Sequence, residues 1–482
     1  MKLLKYLAAG AILASGLAQT ASAAADHVYI TGSTAFRNAA ILAIRQLFDG
    51  GTQTSGQGNA GAGQATEITD NTNATSVSAF TNNTTFLWYG GTIGGIAIDI
   101  SATFTGSATG IYTVAGPVNT TTQIPFLNST VTVASLAANV PPLGQTQAPS
   151  AFQDEASSIQ NTSSFLTLQN AQIAFSDIDQ ATSVYNNRVG LSSGVRTLFN
   201  TISQDTVVGI PTFKWMGSFG FPQGTGTGHQ SSYSINNQNL KTLLGVGYMP
   251  LSFITGQIAD QVKEVDNTGR NPDSGTRITA LADSGYGTTS TVIQYQATTL
   301  SGSQVTAQGL WAGTTGTNYV AGFSVAAGNN GAGSGADLRL YGGFTIAPAA
   351  AASGKPVTTV YYVFPLGLSD SVTAEAFAAG GNSGKNAGPA VELAYNGVPY
   401  SAQAVENGTY SFWGYEHMFA NTLGTNQQTV YNGLSTYLTS TAPANITAIE
   451  GTNAGLSIAN PNMLVQRGNT GTVILPITAF PY

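Results

Sequence analysis

The chain contains no cysteine, and charged residues and histidines are scarce. Of its 482 residues, 8% are charged and three are histidines. Without cysteine there is no disulfide framework, no thiolate metal site and no acylated lipoprotein anchor. His27, His229 and His417 are not spaced as metal ligands, so we expect no metal site and no cofactor.

Long apolar runs are also missing, apart from one near the N-terminus. Lys2 and Lys5 precede a largely apolar run over 7–17, and Ala21-Ser22-Ala23 supplies an A-x-A cleavage site. That run is too short to span a bilayer, which takes about 20 apolar residues. We therefore expect residues 1–23 to be a cleaved signal peptide, and the mature protein to be periplasmic or extracellular.

The charge balance is acidic and the composition is that of a folded protein. The formal net charge is -7, and 42% of the residues are hydrophobic. Removal of the two signal-peptide lysines would take the charge to about -9. A negative surface disfavours binding to nucleic acid or to anionic membranes, so an anion site would need local donors. The length allows two or three domains.

Four loops rich in glycine and hydroxyl side chains follow strands or precede helices. In the first, a strand over 27–31 leads through Gly32-Ser33-Thr34 into a helix over 35–48. The other three are Gly106 to Ile111, Ser176 to Asp179, and Gly269 to Arg277, which runs into a helix-like segment at 278–282. Strands that alternate with helices in this way predict open α/β sheets.

These loops have the chemistry of an anion site. The first turn of a helix has unsatisfied N–H groups and a partial positive charge, and serine and threonine add hydroxyl donors. Arg270 would bind an oxyanion through bidentate hydrogen bonds, unless it forms a surface ion pair with Asp266 or Asp273. A single hydroxyl before a helix is most often only an N-cap, but four such loops favour binding.

The motifs resemble those of the phosphate-binding periplasmic proteins of ABC phosphate importers, which have the type 2 periplasmic-binding fold. The matching segments occur in the family's order and are ITGSTAF (30–36), GSATGI (106–111), IAFSDID (173–179), RNPDSGT (270–276), GNNG (328–331) and VENGTYSFWGYEHM (405–418). The resemblance implies an exported solute-binding protein that holds phosphate or a related oxyanion between two lobes. It also implies a membrane permease as a partner, and we expect a monomer.

The resemblance implies which residues hold the ligand, and Asp177 would accept the ligand's proton and so reject fully ionised oxyanions. The implied ligand-binding residues are Ser33, Thr34, Phe36, Ser107, Ser176, Asp177, Arg270, Asp273, Ser274, Gly275 and Thr276.

Two departures from the family pattern affect this set. The second acid of the fourth loop is Asp273, one position later than usual, so it either touches the ligand or caps the helix. Ala35 stands where relatives carry a hydroxyl, so Ser33 or Thr34 would substitute for it. Phosphate, another oxyanion and a phosphorylated organic ligand therefore stay open as ligands.

The expected architecture is α/β with two lobes, each with a mixed sheet. Lobe one would combine residues 24–206 with 366–482, and lobe two would be 207–365, with chain crossings near 207–213 and 361–367. Glycine-, threonine- and asparagine-rich segments at about 50–85 and 116–165 are predicted to be insertions in lobe one. Binding would close the lobes by a hinge movement.

The patterns of catalytic sites are weak, so we expect no enzyme activity. Residues 190–194 match G-x-S-x-G, but polar residues precede them where a nucleophile elbow needs an apolar strand. The aromatic residues over 410–415 would fit a sugar-binding platform, although core packing is the commoner role. The alternative function is a secreted surface or matrix protein that uses the binding fold as a scaffold for adhesion or assembly.

Overall fold

The computed structural model describes residues 26–50, 52–54, 65–69, 86–115, 123–131, 166–183, 202–315 and 324–477. The expected signal peptide, much of both expected insertions and the G-x-S-x-G segment lie outside these ranges. In the described part of the chain, no helix is long and apolar enough to cross a membrane.

Strands and helices alternate along the chain. The strands are β1 (Asp26–Gly32), β2 (Thr52–Thr54), β3 (Ala65–Thr69), β4 (Phe86–Ile93), β5 (Ile96–Thr103), β6 (Ile124–Leu127), β7 (Leu166–Gln169), β8 (Ile173–Ser176), β9 (Gln204–Pro211), β10 (Phe213–Gly217), β11 (Gln230–Ile235), β12 (Tyr248–Pro250), β13 (Lys263–Asn267), β14 (Tyr295–Ser301), β15 (Gln304–Leu310), β16 (Thr314–Thr315), β17 (Ser324–Val325), β18 (Thr345–Ile346), β19 (Thr359–Gly367), β20 (Val391–Tyr395), β21 (Glu416–Ala420), β22 (Gly455–Ser457), β23 (Val465–Arg467) and β24 (Ile474–Pro476). The α-helices are α1 (Arg37–Leu47), α2 (Ser107–Ala115), α3 (Asn237–Val246), α4 (Ser252–Thr255), α5 (Gly275–Asp283), α6 (Gly335–Leu338), α7 (Leu368–Glu375), α8 (Gly381–Gly384), α9 (Ala402–Glu406), α10 (Thr425–Leu438) and α11 (Pro443–Glu450).

The first large sheet has the strand order β2-β3-β4-β5-β1-β8-β21-β9-β22. Its central strands β5, β1 and β8 are parallel to one another. Parallel strands end at the same edge of a sheet, so the loops that follow these three strands meet there. Strand β21 runs antiparallel to β8 on the other side and places His417 opposite Ser176.

The second large sheet has the order β11-β20-β10-β19-β18-β15-β14, with β13 beside β19 and β12 beside β13. Strand β13 is parallel to β19, and the loop after it leads into α5. The fold is therefore mixed α/β with two lobes, each built on one mixed sheet, as the sequence predicts.

The chain passes between the two sheets at Thr212 and again between β20 and β21. The first passage lies in the segment that the sequence predicts. The second does not coincide with the predicted crossing at 361–367, because β20 pairs with β10 and β11 in the second sheet. Strand β20 thus belongs to the second sheet, whereas the sequence pattern assigns the chain from 366 onward to lobe one.

Separate apolar cores support the two sheets. In the first, α1 buries one face against the sheet, and Ile41 and Ile44 pack with Val28 and Ile30 of β1. In the second, Trp215 stacks on Phe412 with ring centroids 5.6 Å apart. Phe412 and Trp413 are fully buried, so these aromatic rings form core and not an exposed sugar platform.

Two helices start earlier than their sequence pattern indicates. Residues 106–111 look like a glycine and serine turn, but only Gly106 is a turn residue and Ser107 begins α2. The fourth loop ends at Ser274 and α5 begins at Gly275, whereas the sequence pattern begins this helix at 278. Both helices are buried along nearly their whole length, and tertiary packing therefore outweighs their weak local propensity.

Candidate functional site

The loops after β1, β5 and β8 contact one another at the edge of the first sheet. The Gly32 carbonyl accepts a hydrogen bond of 2.9 Å from Gly106 N–H, and the Phe175 carbonyl accepts one of 2.8 Å from Ser33 N–H. Gly32 has a φ of 126°, and an added Cβ would lie 1.8 Å from the Phe175 carbonyl oxygen. The first loop therefore requires glycine at this position.

The fourth loop joins this group from the second lobe. The Ala108 N–H at the start of α2 donates to the Asp273 carbonyl over 3.1 Å. The Arg270 Nη1 donates to Thr34 Oγ1 over 3.2 Å. All four sequence-predicted loops thus meet in one place, which we call the four-loop site.

The two lobes approach each other closely at Gly275, the first residue of α5. A Cβ added there would lie 1.4 Å from Asp177 Oδ1 and 2.6 Å from Ser107 Oγ. No side chain fits in that space, so only glycine lets the helix start reach the second and third loops.

Arg270 is buried at this junction and its guanidinium is fixed by several acceptors. Its Nε donates to the Ala332 carbonyl over 3.0 Å, and its Nη2 donates to the Gly333 carbonyl over 2.7 Å. The backbone there lies close because Gly331 has no side chain, and an added Cβ would be 2.4 Å from the Arg270 carbonyl carbon. The GNNG segment therefore supports Arg270, a role that its sequence did not reveal.

Asp177 is a buried carboxyl between the second loop and Arg270. The Ser107 hydroxyl donates to its Oδ1, and its own N–H donates to Ser107 Oγ over 3.3 Å. Burial raises the pKa of Asp177 from 3.8 to about 6, although the Ser107 hydrogen bond and the positive charge of Arg270 oppose this rise. Asp177 can therefore gain or lose a proton near neutral pH.

The remaining predicted residues lie at the same junction, but several have local roles. The Ser176 hydroxyl donates to the Ile178 carbonyl over 2.7 Å, and the Phe36 ring is fully buried in the first core. Ser274 is the N-cap of α5 and accepts from Arg277 N–H over 3.4 Å, so Ser274 and not Asp273 caps that helix. Thr276 is buried in the first turn of α5, and the Asp273 side chain is buried just before that helix.

The positive ends of three helices point toward this edge. Helices α1, α2 and α5 begin at Arg37, Ser107 and Gly275, each directly after one of the loops. Helix starts carry a partial positive charge, which is favourable for an anion at short range. The site can thus attract an anion although the protein is acidic overall.

Glu416 is a further buried acid at the site that the predicted set does not include. It is the first residue of β21, and its pKa is raised well above 4.5, first by burial and next by the negative charge of Asp177. The residue lies within the quoted segment 405–418, but its position beside Asp177 depends on the pairing of β21 with β8. Sequence spacing alone gives no signal for that pairing.

Metal coordination finds no support in the described ranges, where no group of three or more histidine, cysteine or acidic side chains is placed to hold an ion. The acids at the four-loop site lie beside hydroxyls, helix starts and an arginine. This set of donors suits an oxyanion.

No family model and no curated protein matches the chain. Solved structures with a similar chain path include one described as a phosphate ABC transporter substrate-binding protein with bound phosphate from Clostridium perfringens, at 8% identity and TM-score 0.37, covering 90% of this chain and 100% of that one. Others are a possible phosphate binding protein from Planctomyces limnophilus, at 8% identity and TM-score 0.35 with coverage of 89% and 96%, and PstS from Borrelia burgdorferi, at 10% identity and TM-score 0.30 with coverage of 89% and 97%. The two large sheets and their strand orders define the two-lobe architecture.

Proposed function

We propose that the protein is an exported solute-binding protein that holds phosphate or a related oxyanion at the four-loop site. The observation that supports this most strongly is the hydrogen bond from Arg270 to Thr34, which joins a buried cation of one lobe to a hydroxyl of the other. Three helix starts and the Ser107 hydroxyl lie at the same junction. Together they bring positive charge and hydrogen-bond donors to one junction, as the binding of a small anion requires.

Entry of the ligand requires the lobes to separate, because the loops touch directly. The two chain passages lie close to each other, because Thr212 of the first pairs with Trp413 of the second. A few residues at such passages can absorb the backbone rotation of a hinge. We infer that the lobes open around Thr212 and close on the anion.

Asp177 would give the site its selectivity. An ionised carboxylate accepts a hydrogen bond from an oxyanion that retains a proton, and it repels one that is fully ionised. Phosphate keeps a proton near neutral pH, whereas sulfate does not. We therefore infer preference for phosphate or arsenate over sulfate.

The cellular role follows from the same proposal. A protein that closes around a nutrient anion outside the cytoplasm would deliver it to a membrane permease of an ABC importer or scavenge it. The expected signal peptide would place the protein in the periplasm or outside the cell.

Calorimetric titration of ligand-stripped protein with phosphate, sulfate and arsenate tests the proposal. We expect saturable binding of phosphate and arsenate, with one ion per chain, and much weaker binding of sulfate. Absence of saturable binding for all three ions would refute the proposal. Equal affinity for phosphate and sulfate would refute the role of Asp177 alone.

A further inference from the structure

Glu416 has the geometry of an additional ligand-facing group. Strand β21 pairs antiparallel with β8 and places His417 opposite Ser176. Glu416 begins β21 just before His417, and Asp177 directly follows Ser176 at the end of β8. The two acids therefore lie at the same edge of the sheet, where the loops meet, and close enough for the charge of Asp177 to raise the pKa of Glu416.

The surroundings of Glu416 contain few groups that could share its charge. The side chain is fully buried, and neither carboxyl oxygen has a hydrogen-bond partner among the described residues. Ser33 lies near enough to lower the pKa to a smaller extent, but its hydroxyl makes no hydrogen bond of ordinary geometry to either oxygen. On β9, the residue opposite is Gly209, which adds no charge.

The charged neighbours do not favour ionisation. Asp177 faces Glu416 from the end of β8 and is the only charged group acting on its pKa in the described part of the chain. On its own strand, His417 is directed elsewhere, to Asp205 of β9, over 2.8 Å. A buried carboxyl with an acidic neighbour and no cation costs much less to keep neutral than to ionise.

We propose that Glu416 is a specificity-determining residue that stays protonated and donates a hydrogen bond from its neutral carboxyl to the bound oxyanion. This inference rests on the proposed function and adds a second carboxyl with the opposite role to Asp177. Asp177 accepts a hydrogen bond from the protonated oxygen of the ligand, while Glu416 donates one to an oxygen that bears no proton. Ionised Glu416 would lose its donor and place a second negative charge beside the anion.

The pH dependence of phosphate binding, compared between the wild type and Glu416→Gln, tests this inference. Glutamine keeps a donor of similar shape but cannot ionise. The ratio of the two affinities at each pH cancels the titration of phosphate and of Asp177. We expect the variant's relative affinity to rise by about tenfold per pH unit once Glu416 ionises, as a single linked proton requires.

Two results would overturn the inference. A ratio that stays constant with pH would show that the protonation of Glu416 is not linked to binding. A variant that loses affinity at low pH as well would show that the carboxylate acts as an acceptor.

A second measurement does not depend on binding. The infrared difference spectrum of the ligand-free wild type minus Glu416→Gln at about pH 8 should show the carbonyl band of a protonated carboxyl. The subtraction removes bands of other buried acids such as Asp266, whose pKa burial also raises well above 3.8, and Asp177 is already ionised there. Absence of this band from the difference spectrum would contradict the neutral state of Glu416. If the wild type binds no oxyanion at any pH, the proposed function fails, while the infrared result still tests Glu416.

Discussion

Replacing Asp177 with asparagine should make the ligand-free protein more stable at neutral pH than the wild type, by an amount that depends on pH. Burial raises the pKa of this carboxyl from 3.8 to about 6. A pKa difference of this size corresponds to about 3 kcal/mol, at about 1.4 kcal/mol for each tenfold change in proton affinity. The ionised Asp177 carboxylate therefore lowers the free energy of unfolding of the ligand-free protein at neutral pH.

The direction follows from the raised pKa. Folding favours the neutral carboxyl, so the stability it contributes is fully present below about pH 3.8 and is lost as the pH rises through about 6. Asparagine does not titrate. The free energy of unfolding of Asp177→Asn relative to the wild type should thus increase by about 3 kcal/mol between about pH 3.5 and about pH 7.5.

Denaturant unfolding of ligand-stripped wild type and variant at both pH values measures this difference. Asp49→Asn is the matched control, because Asp49 is exposed and hydrogen bonds from Gly95 and Gly94 N–H lower its pKa. Its contribution is present at neutral pH and is lost in acid, so that variant should show the opposite sign. A difference between Asp177→Asn and wild type that is equal at the two pH values would refute the burial of a titrating carboxyl.

Other variants test the cation, the close approach and the outer sheet. In calorimetry, Arg270→Lys should weaken phosphate binding by about 1 to 2 kcal/mol, because lysine keeps the charge but lacks the paired N–H donors of the guanidinium. Arg270→Ala should weaken it by about 2 to 4 kcal/mol, because the charge is lost as well. Equal affinity for wild type and Arg270→Ala would remove this residue from the site. Gly275→Ala should reduce phosphate affinity at least tenfold, because its Cβ meets Asp177, and wild-type affinity would contradict the close approach. Arg45→Ala should lower the free energy of unfolding by about 3 to 5 kcal/mol, because it leaves Glu67 buried without its ion-pair partner. Phosphate affinity should stay within about threefold of the wild type. A larger loss of affinity would contradict a site confined to the four loops.

Local sequence patterns predicted the parts of the fold that depend on neighbouring residues. The first strand, its glycine turn and α1 follow from one short segment, since apolar periodicity and a turn residue mark the element boundaries. The four loops were also visible, because glycine, hydroxyl side chains and Arg270 stand out in a chain with little charge. Three of these loops meet because β5, β1 and β8 are parallel, and the fourth joins them from the second lobe.

Features that depend on distant pairing could not be predicted in the same way. Strand β20 has no local property that assigns it to the second sheet, and only its pairing with β10 does so. Glu416 looks like an ordinary strand residue until β21 is paired with β8. The support of Arg270 by Ala332 and Gly333 likewise joins segments about 60 residues apart, for which one sequence contains no contact information.

Crystallography of the protein with arsenate tests the central claim most directly, because arsenic scatters anomalously and marks its own position. We predict an anomalous peak among the four loops, within hydrogen-bonding distance of Arg270 and beside Asp177. Arg270→Ala should lose the peak, and Arg45→Ala should keep it. An anomalous peak at another place in the protein, or none at saturating arsenate, would contradict the assignment of the four-loop site as the oxyanion site.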